Sequence, residues 1–88
     1  MASYKVVFKP SVEKDLRALP QSVVARVVKQ VEVLQQDPRP RGTSKLVGAE
    51  QLYRVRIGDY RMVYGIDKDG GKVIVYYIRH RREAYRHL

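Results

Sequence analysis

Cysteine and tryptophan are absent from the 88-residue sequence, phenylalanine occurs once and histidine only twice. Without cysteine there is neither a disulfide framework nor a thiolate metal site, which accords with a reducing compartment. The two histidines, His80 and His87, and the scattered acidic residues form no cluster suited to a divalent cation, so neither a metal nor any other cofactor is expected. Kinase and serine-hydrolase chemistry fall away too, because there is no P-loop and no Ser-His-Asp arrangement. The pair Gly70-Gly71 reads as a hairpin turn with no helix behind it. No apolar run approaches the roughly 18 residues of a membrane-spanning helix, and no apolar signal segment follows the opening Met-Ala-Ser-Tyr-Lys. The expected location is therefore the cytoplasm, with no membrane partner.

Acid is scarce as well: nine Asp and Glu face eighteen Lys and Arg, a net charge of +9. A surface of that sign attracts polyanions, although charge alone also fits a merely soluble basic protein. Position narrows the reading. Arg39, Arg41, Lys45, Arg54, Arg56 and Arg61 fall in one stretch against only Glu50 and Asp59, whereas residues 1–38 nearly balance. Arginine predominates there, and its planar fork grips phosphate oxygens in pairs.

A chain this short supports one core, so residues 1–88 are read as a single domain. Residues 3–9 are β-branched and aromatic and predict a strand that stops at Pro10. Ser11 is the expected cap of a short helix, with Val12, Leu16 and Leu19 on one face. Pro20 opens a second helix whose stripe is Val24, Val27, Val28, Val31 and Leu34. Asp37–Ser44, with two prolines and a glycine, predicts a loop. In Leu52–Ile57, Tyr53, Val55 and Ile57 alternate with Arg54 and Arg56, which sends the arginines to the face away from the helices. Gly58-Asp59 then turns the chain into a strand at Tyr60–Asp67. Lys72–Arg79 is nearly all apolar and predicts a central strand covered on both faces. A short helical turn is expected within Arg81–His87. The predicted fold is α+β in the order β-α-α-β-β-β: an antiparallel sheet of about four strands with a two-helix hairpin on one face.

That arrangement brings Arg61 beside Arg54 and Arg56, while Arg79, His80, Arg81, Arg82 and Tyr85 follow at the end of the last strand. Together they predict a cationic surface with one imidazole and one phenol, suited to an RNA backbone. Cleavage by the ribose 2′-hydroxyl needs a proton acceptor, cations for the crowded phosphorane and an acid for the leaving oxygen, but no metal. Plainer readings stand beside this one. Arg54 and Arg56 also fit a solvated strand face, Arg61 a pair with Asp59, and His80 a structural edge histidine. Tyr53, Tyr64 and Tyr76 are expected in the core, and Tyr85 is the tyrosine expected to stack on a base or donate to phosphate.

The stretch Tyr53-Arg54-Val55-Arg56-Ile57-Gly58-Asp59-Tyr60-Arg61-Met62-Val63-Tyr64 resembles the RelE/ParE superfamily of type II toxins, RelE-like branch. Lys45-Leu46 with Gly48, and Ile78-Arg79-His80-Arg81-Arg82-Glu83-Ala84-Tyr85, add to the resemblance, which covers nearly the whole chain. It implies a ribosome-dependent endoribonuclease that cuts mRNA in the A site, and a cognate antitoxin as partner. Carried over by motif, Arg54 and Arg56 take the places of two basic strand residues, Arg61 that of the phosphate-binding arginine, Arg81 that of a second catalytic arginine, and Tyr85 that of the stacking tyrosine. Lys45, Arg79 and Arg82 are expected to bind RNA. The best-known enterobacterial member has lysines where Arg54 and Arg56 stand, one of them proposed as general base. Arginine, with a pKa above about 12, is a poor base, and His80 is the expected substitute. Two other activities remain open: a ParE-like inhibitor of DNA gyrase and a non-catalytic domain that binds nucleic acid. A decayed toxin that only binds its antitoxin is a further alternative.

Overall fold

The computed structural model describes residues 3–46 and 52–80. Strand β1 (Lys5–Phe8) leads into helices α1 (Pro10–Ala18) and α2 (Gln21–Gln36). Strands β2 (Thr43–Lys45), β3 (Leu52–Ile57), β4 (Tyr60–Asp67) and β5 (Lys72–His80) follow. The class is the expected α+β, but the sheet has five strands, in the order β1-β5-β4-β3-β2, and is mixed. β1 runs parallel to β5, with Lys5 opposite Lys72 and Phe8 opposite Val75, because two helices intervene before the chain returns beside it. The fifth strand lies inside the segment Asp37–Ser44 and just beyond, which was expected to be a loop. Pro38 and Pro40 do keep their stretch irregular, but Thr43–Lys45, past the last proline, pairs with Val55–Tyr53.

Helix α1 begins differently from the expectation. Lys9 occupies the capping position and Pro10 the first helical turn, with no side-chain cap from Ser11. Proline's fixed φ and missing N–H suit that position, so a hydroxyl cap is dispensable. On α2 the inward stripe is Val23, Val27, Val31 and Leu34, while Val28 is 51% exposed. Val27, Val31 and Leu34 are as anticipated, whereas Val23 takes the place expected of Val24 and Val28.

The core lies between the helices and one face of the sheet. Tyr53, Val55 and Ile57 of β3, Met62, Tyr64 and Ile66 of β4, and Val73, Val75 and Ile78 of β5 meet Val12, Val27 and Leu34. Tyr64 is fully buried; its hydroxyl donates to the Pro38 carbonyl at 2.7 Å and its ring stacks on Tyr53 at 5.9 Å. The Arg39 guanidinium covers the outer side of Tyr53, 5.2 Å from its centroid. These contacts hold the proline loop against the sheet. Burial raises the Tyr64 pKa above its ordinary 10.0, with the hydroxyl of Thr43 pulling the other way.

Strand β5 is interior but not covered on both faces. Val63 pairs with Tyr77 and Tyr64 with Val75, so Tyr76 is an extra residue in a bulge. Tyr76 is consequently 37% exposed, under the Lys9 ammonium, rather than in the core. Among the described residues, no helix is long and apolar enough to cross a membrane. The expected helical turn at 81–87 lies outside the described residues.

Candidate functional site

Strand register decides which basic side chains share a face. Paired residues of neighbouring strands project to the same side. Ser44 pairs with Arg54, Arg54 with Val63, Arg56 with Arg61, and Arg61 with Arg79. All therefore lie on the face opposite the helices, as the alternation in β3 predicted. Gly42, Ser44, Arg54, Arg56 and Arg61 line a cleft of about 200 Å³ there.

The turn between β3 and β4 orients two of these cations. Ile57 pairs with Tyr60, leaving Gly58 and Asp59 as a two-residue loop in which Gly58 has φ +61°. Its carbonyl oxygen accepts from Arg56 Nε at 3.3 Å and from Arg61 Nη1 at 3.4 Å, and Arg61 Nη1 also donates to the Tyr60 carbonyl at 3.1 Å. Like charges directly opposite on a sheet destabilise it by roughly 0.2–1 kcal/mol. Arg56 and Arg61 face each other in that way, and the shared carbonyl offsets part of the repulsion. A phosphate between the guanidiniums would be attracted to both, and arginine forks suit its oxygens.

Other expected site residues lie elsewhere. Lys45 pairs with Tyr53 and so leaves the sheet on the side away from the arginines. Arg79 shares the arginine face, but its guanidinium sits over the Tyr77 ring, 5.4 Å from the centroid. Burial raises the Tyr77 pKa, with Arg79 opposing, and the buried Tyr77 hydroxyl has no hydrogen-bond partner among the described residues. The largest departure concerns His80. It pairs with Tyr60, and the rings meet edge to face at 5.5 Å on the helix side of the sheet. There they line a second cavity of about 330 Å³ with Ile78 and Arg79 of β5, Asp15 and Ala18 of α1 and the C-cap residue Leu19. The sheet therefore separates the imidazole from the arginine cleft. One step along a strand inverts the face, so the place of His80 beside Arg79 in sequence does not put its ring on the arginine face. Arg81, Arg82 and Tyr85 fall outside the described residues.

Sequence reasoning missed Gly42 and Ser44 as lining residues. The signal was weak, because a three-residue polar strand has no hydrophobic alternation and shows itself only through its pairing with β3.

Comparison with known proteins bears on this geometry. The family model for the ParE toxin of the type II toxin-antitoxin system parDE matches residues 6–85. Toxin RelE of Mycobacterium tuberculosis is 33% identical over 84 residues, covering 94% of this chain and 87% of the relative. The archaeal RelE-RelB complex from Pyrococcus horikoshii superposes with a TM-score of 0.82 at 30% identity, over 90% of this chain and 96% of the other. The isolated RelE toxin of Escherichia coli shares the fold, with a TM-score of 0.80 at 22% identity, over 98% of this chain and 100% of that one. The matched region includes the whole arginine-bearing hairpin, and the chain belongs to the RelE/ParE superfamily of type II toxins, on its RelE-like branch.

Proposed function

We propose that this toxin is a metal-independent endoribonuclease that cuts mRNA in the ribosomal A site and is neutralised by an antitoxin. The observation that carries the reading is the cleft in which Arg54, Arg56 and Arg61 converge with Ser44, with no carboxylate among the described residues that line it. In the reaction the ribose 2′-oxygen forms a bond to phosphorus as the bond to the 5′-oxygen breaks. The 2′-proton passes to a base, the leaving oxygen gains a proton, and the products are a 2′,3′-cyclic phosphate and a 5′-hydroxyl. Negative charge grows on the phosphorane oxygens, and guanidiniums already fixed by Gly58 stabilise it without reorganising. Arg54 and Arg56 are poor bases and His80 lies across the sheet, so the described cleft contributes charge stabilisation rather than proton abstraction. Arg81 and Tyr85 complete the proposed site from beyond the described residues.

The solved Pyrococcus relative is a RelE-RelB complex, which supports an antitoxin partner here. Its contacting segment should be acidic to match the arginine face. The direct test is primer extension on a message undergoing translation in a purified system, with wild type and Arg61→Ala. Codon-spaced cuts that vanish in the variant and without ribosomes are the expected result. The ParE description of the matching family model favours one second reading, inhibition of gyrase. An intact message with arrested DNA supercoiling would establish that instead.

A further inference from the structure

The face that carries the cleft changes character toward its other edge. Across β3 and β4 it presents Arg54, Arg56 and Arg61, but Val63, paired with Arg54, is apolar and only 2% exposed, and Tyr77 follows it in the same row on β5. Val75 and Ile78 both belong to the core, which leaves Tyr76 and Tyr77 together on the opposite side. The bulge therefore gives the arginine face a second ring, and bulges commonly re-aim side chains beside functional sites. On β1, Val6 and Phe8 pack against the core, so Val7 and Lys9 also lie on the arginine side. The Lys9 ammonium is 5.6 Å from the centroid of the Tyr76 ring. Among the described residues, Val7 and Tyr76 are the large apolar side chains of the sheet that stay exposed. A cationic half of the face thus borders an aromatic half.

Resting on the nuclease reading above, we propose that Tyr76 stacks on a base of the RNA strand, next to the nucleotide whose phosphate occupies the cleft. Single strands are held by cationic surfaces interleaved with aromatic rings, because each nucleotide joins an anionic phosphate to a flat base. Arg61 is opposite Arg79, and Tyr76 lies three residues back along β5. The two are thus separated by about one strand spacing, ~4.8 Å, across the sheet and roughly 10 Å along it. A neighbouring nucleotide covers that span. An exposed ammonium holds a ring less strongly than a stacked base does, so the base displaces Lys9. A protein segment would also cover Val7 and Tyr76, but a ring set beside a row of arginines matches phosphate and base alternating along one strand.

The test is binding of the intact toxin to a single-stranded oligonucleotide with 2′-O-methyl groups, which cannot be cleaved. Tyr76→Ala should weaken binding by about 5- to 100-fold, the range for loss of one base–aromatic stack. The slope of log affinity against log salt should stay unchanged, whereas Arg61→Ala should lower it by about 0.7. Tyr76→Phe should bind as wild type does. An abasic nucleotide at one position beside the cleft should cost wild type as much as Tyr76→Ala does, and cost Tyr76→Ala little, because both changes remove the same contact. Should Tyr76→Ala not fold, Tyr76→Leu, which keeps apolar bulk without a ring, serves the same comparison. Equal affinities for wild type and the ring-less variant overturn the proposal, as do losses that simply add to those of every abasic position. So does a defect confined to antitoxin binding, which would assign the ring to the protein partner. Arg61→Ala separates the two readings: if it leaves RNA binding intact, the cleft itself fails, whereas a loss there with none at Tyr76 removes only the stacking site.

Discussion

The two faces of this sheet are made by the same strands and obey opposite rules. Toward the helices, Tyr53, Val55, Ile57, Met62 and Tyr64 are buried with apolar neighbours. Away from them, Arg56, Arg61 and Arg79 stand in register, like charge against like charge, with Arg54 on the same face opposite Ser44 and Val63. The first face supplies stability, and the second gives up a little of it to hold charge in place. Because adjacent residues alternate between faces, one chain segment does both jobs, and a substitution should affect one job or the other according to its position.

The strongest challenge to that separation is a cavity in the covered face. Met62→Ala, at a fully buried site, should destabilise the fold by about 2–5 kcal/mol in denaturant titration. Residual folded protein should still cleave. Arg61→Ala, the next residue back, should lower cleavage by about 10²–10³ while shifting stability by less than about 1 kcal/mol. Unfolding of that variant would break the comparison. Gly58→Ala should cost about 1–2 kcal/mol, since a side chain at φ +61° is strained, and it tests whether the turn connects the two faces. A loss of cleavage beyond the loss of folded protein would indicate misplaced Arg56 and Arg61.

Tyr64→Phe removes the hydroxyl bonded to Pro38 and should cost about 1 kcal/mol. Burial raises the Tyr64 pKa above 10.0, so its protonated form stabilises the fold below about pH 10, and that contribution is lost as pH climbs through the raised value. The stability curve of the variant should accordingly be flatter at alkaline pH. The smallest effect is expected at His80. A general base contributes about 10²–10⁴ in rate, so His80→Gln should reduce cleavage less than tenfold if the imidazole stays on the helix side. A larger loss with an altered pH profile would place His80 in the chemistry.

Much of this division was legible in sequence, because period-two alternation in Leu52–Ile57 assigns Arg54 and Arg56 to a face without any knowledge of the fold. The turn at Gly58-Asp59 likewise brought Arg61 to Arg56. What sequence could not reveal depended on pairing between distant segments. The parallel β1–β5 ladder, the short β2 beside Arg54, and the bulge that turns Tyr76 outward are tertiary outcomes with no local pattern. The face of His80 belongs with them, since its register partner Tyr60 comes from another strand. The approach of Arg26 to Gly58 likewise depends on how α2 lies over the sheet.

The parallel ladder also imposes an order in time. Among the described elements β1 comes first in the chain, yet the strand it pairs with there is β5, the last of them. A growing chain can form the β3–β4 hairpin, arginines included, while its opening strand still has no neighbour. Completion of the sheet waits for residues 72–75, a long-range closure that slows folding relative to local contacts. For a chain proposed to attack translation, that delay separates making the weapon from arming it: the hairpin that carries the arginines can form before the sheet beside it closes.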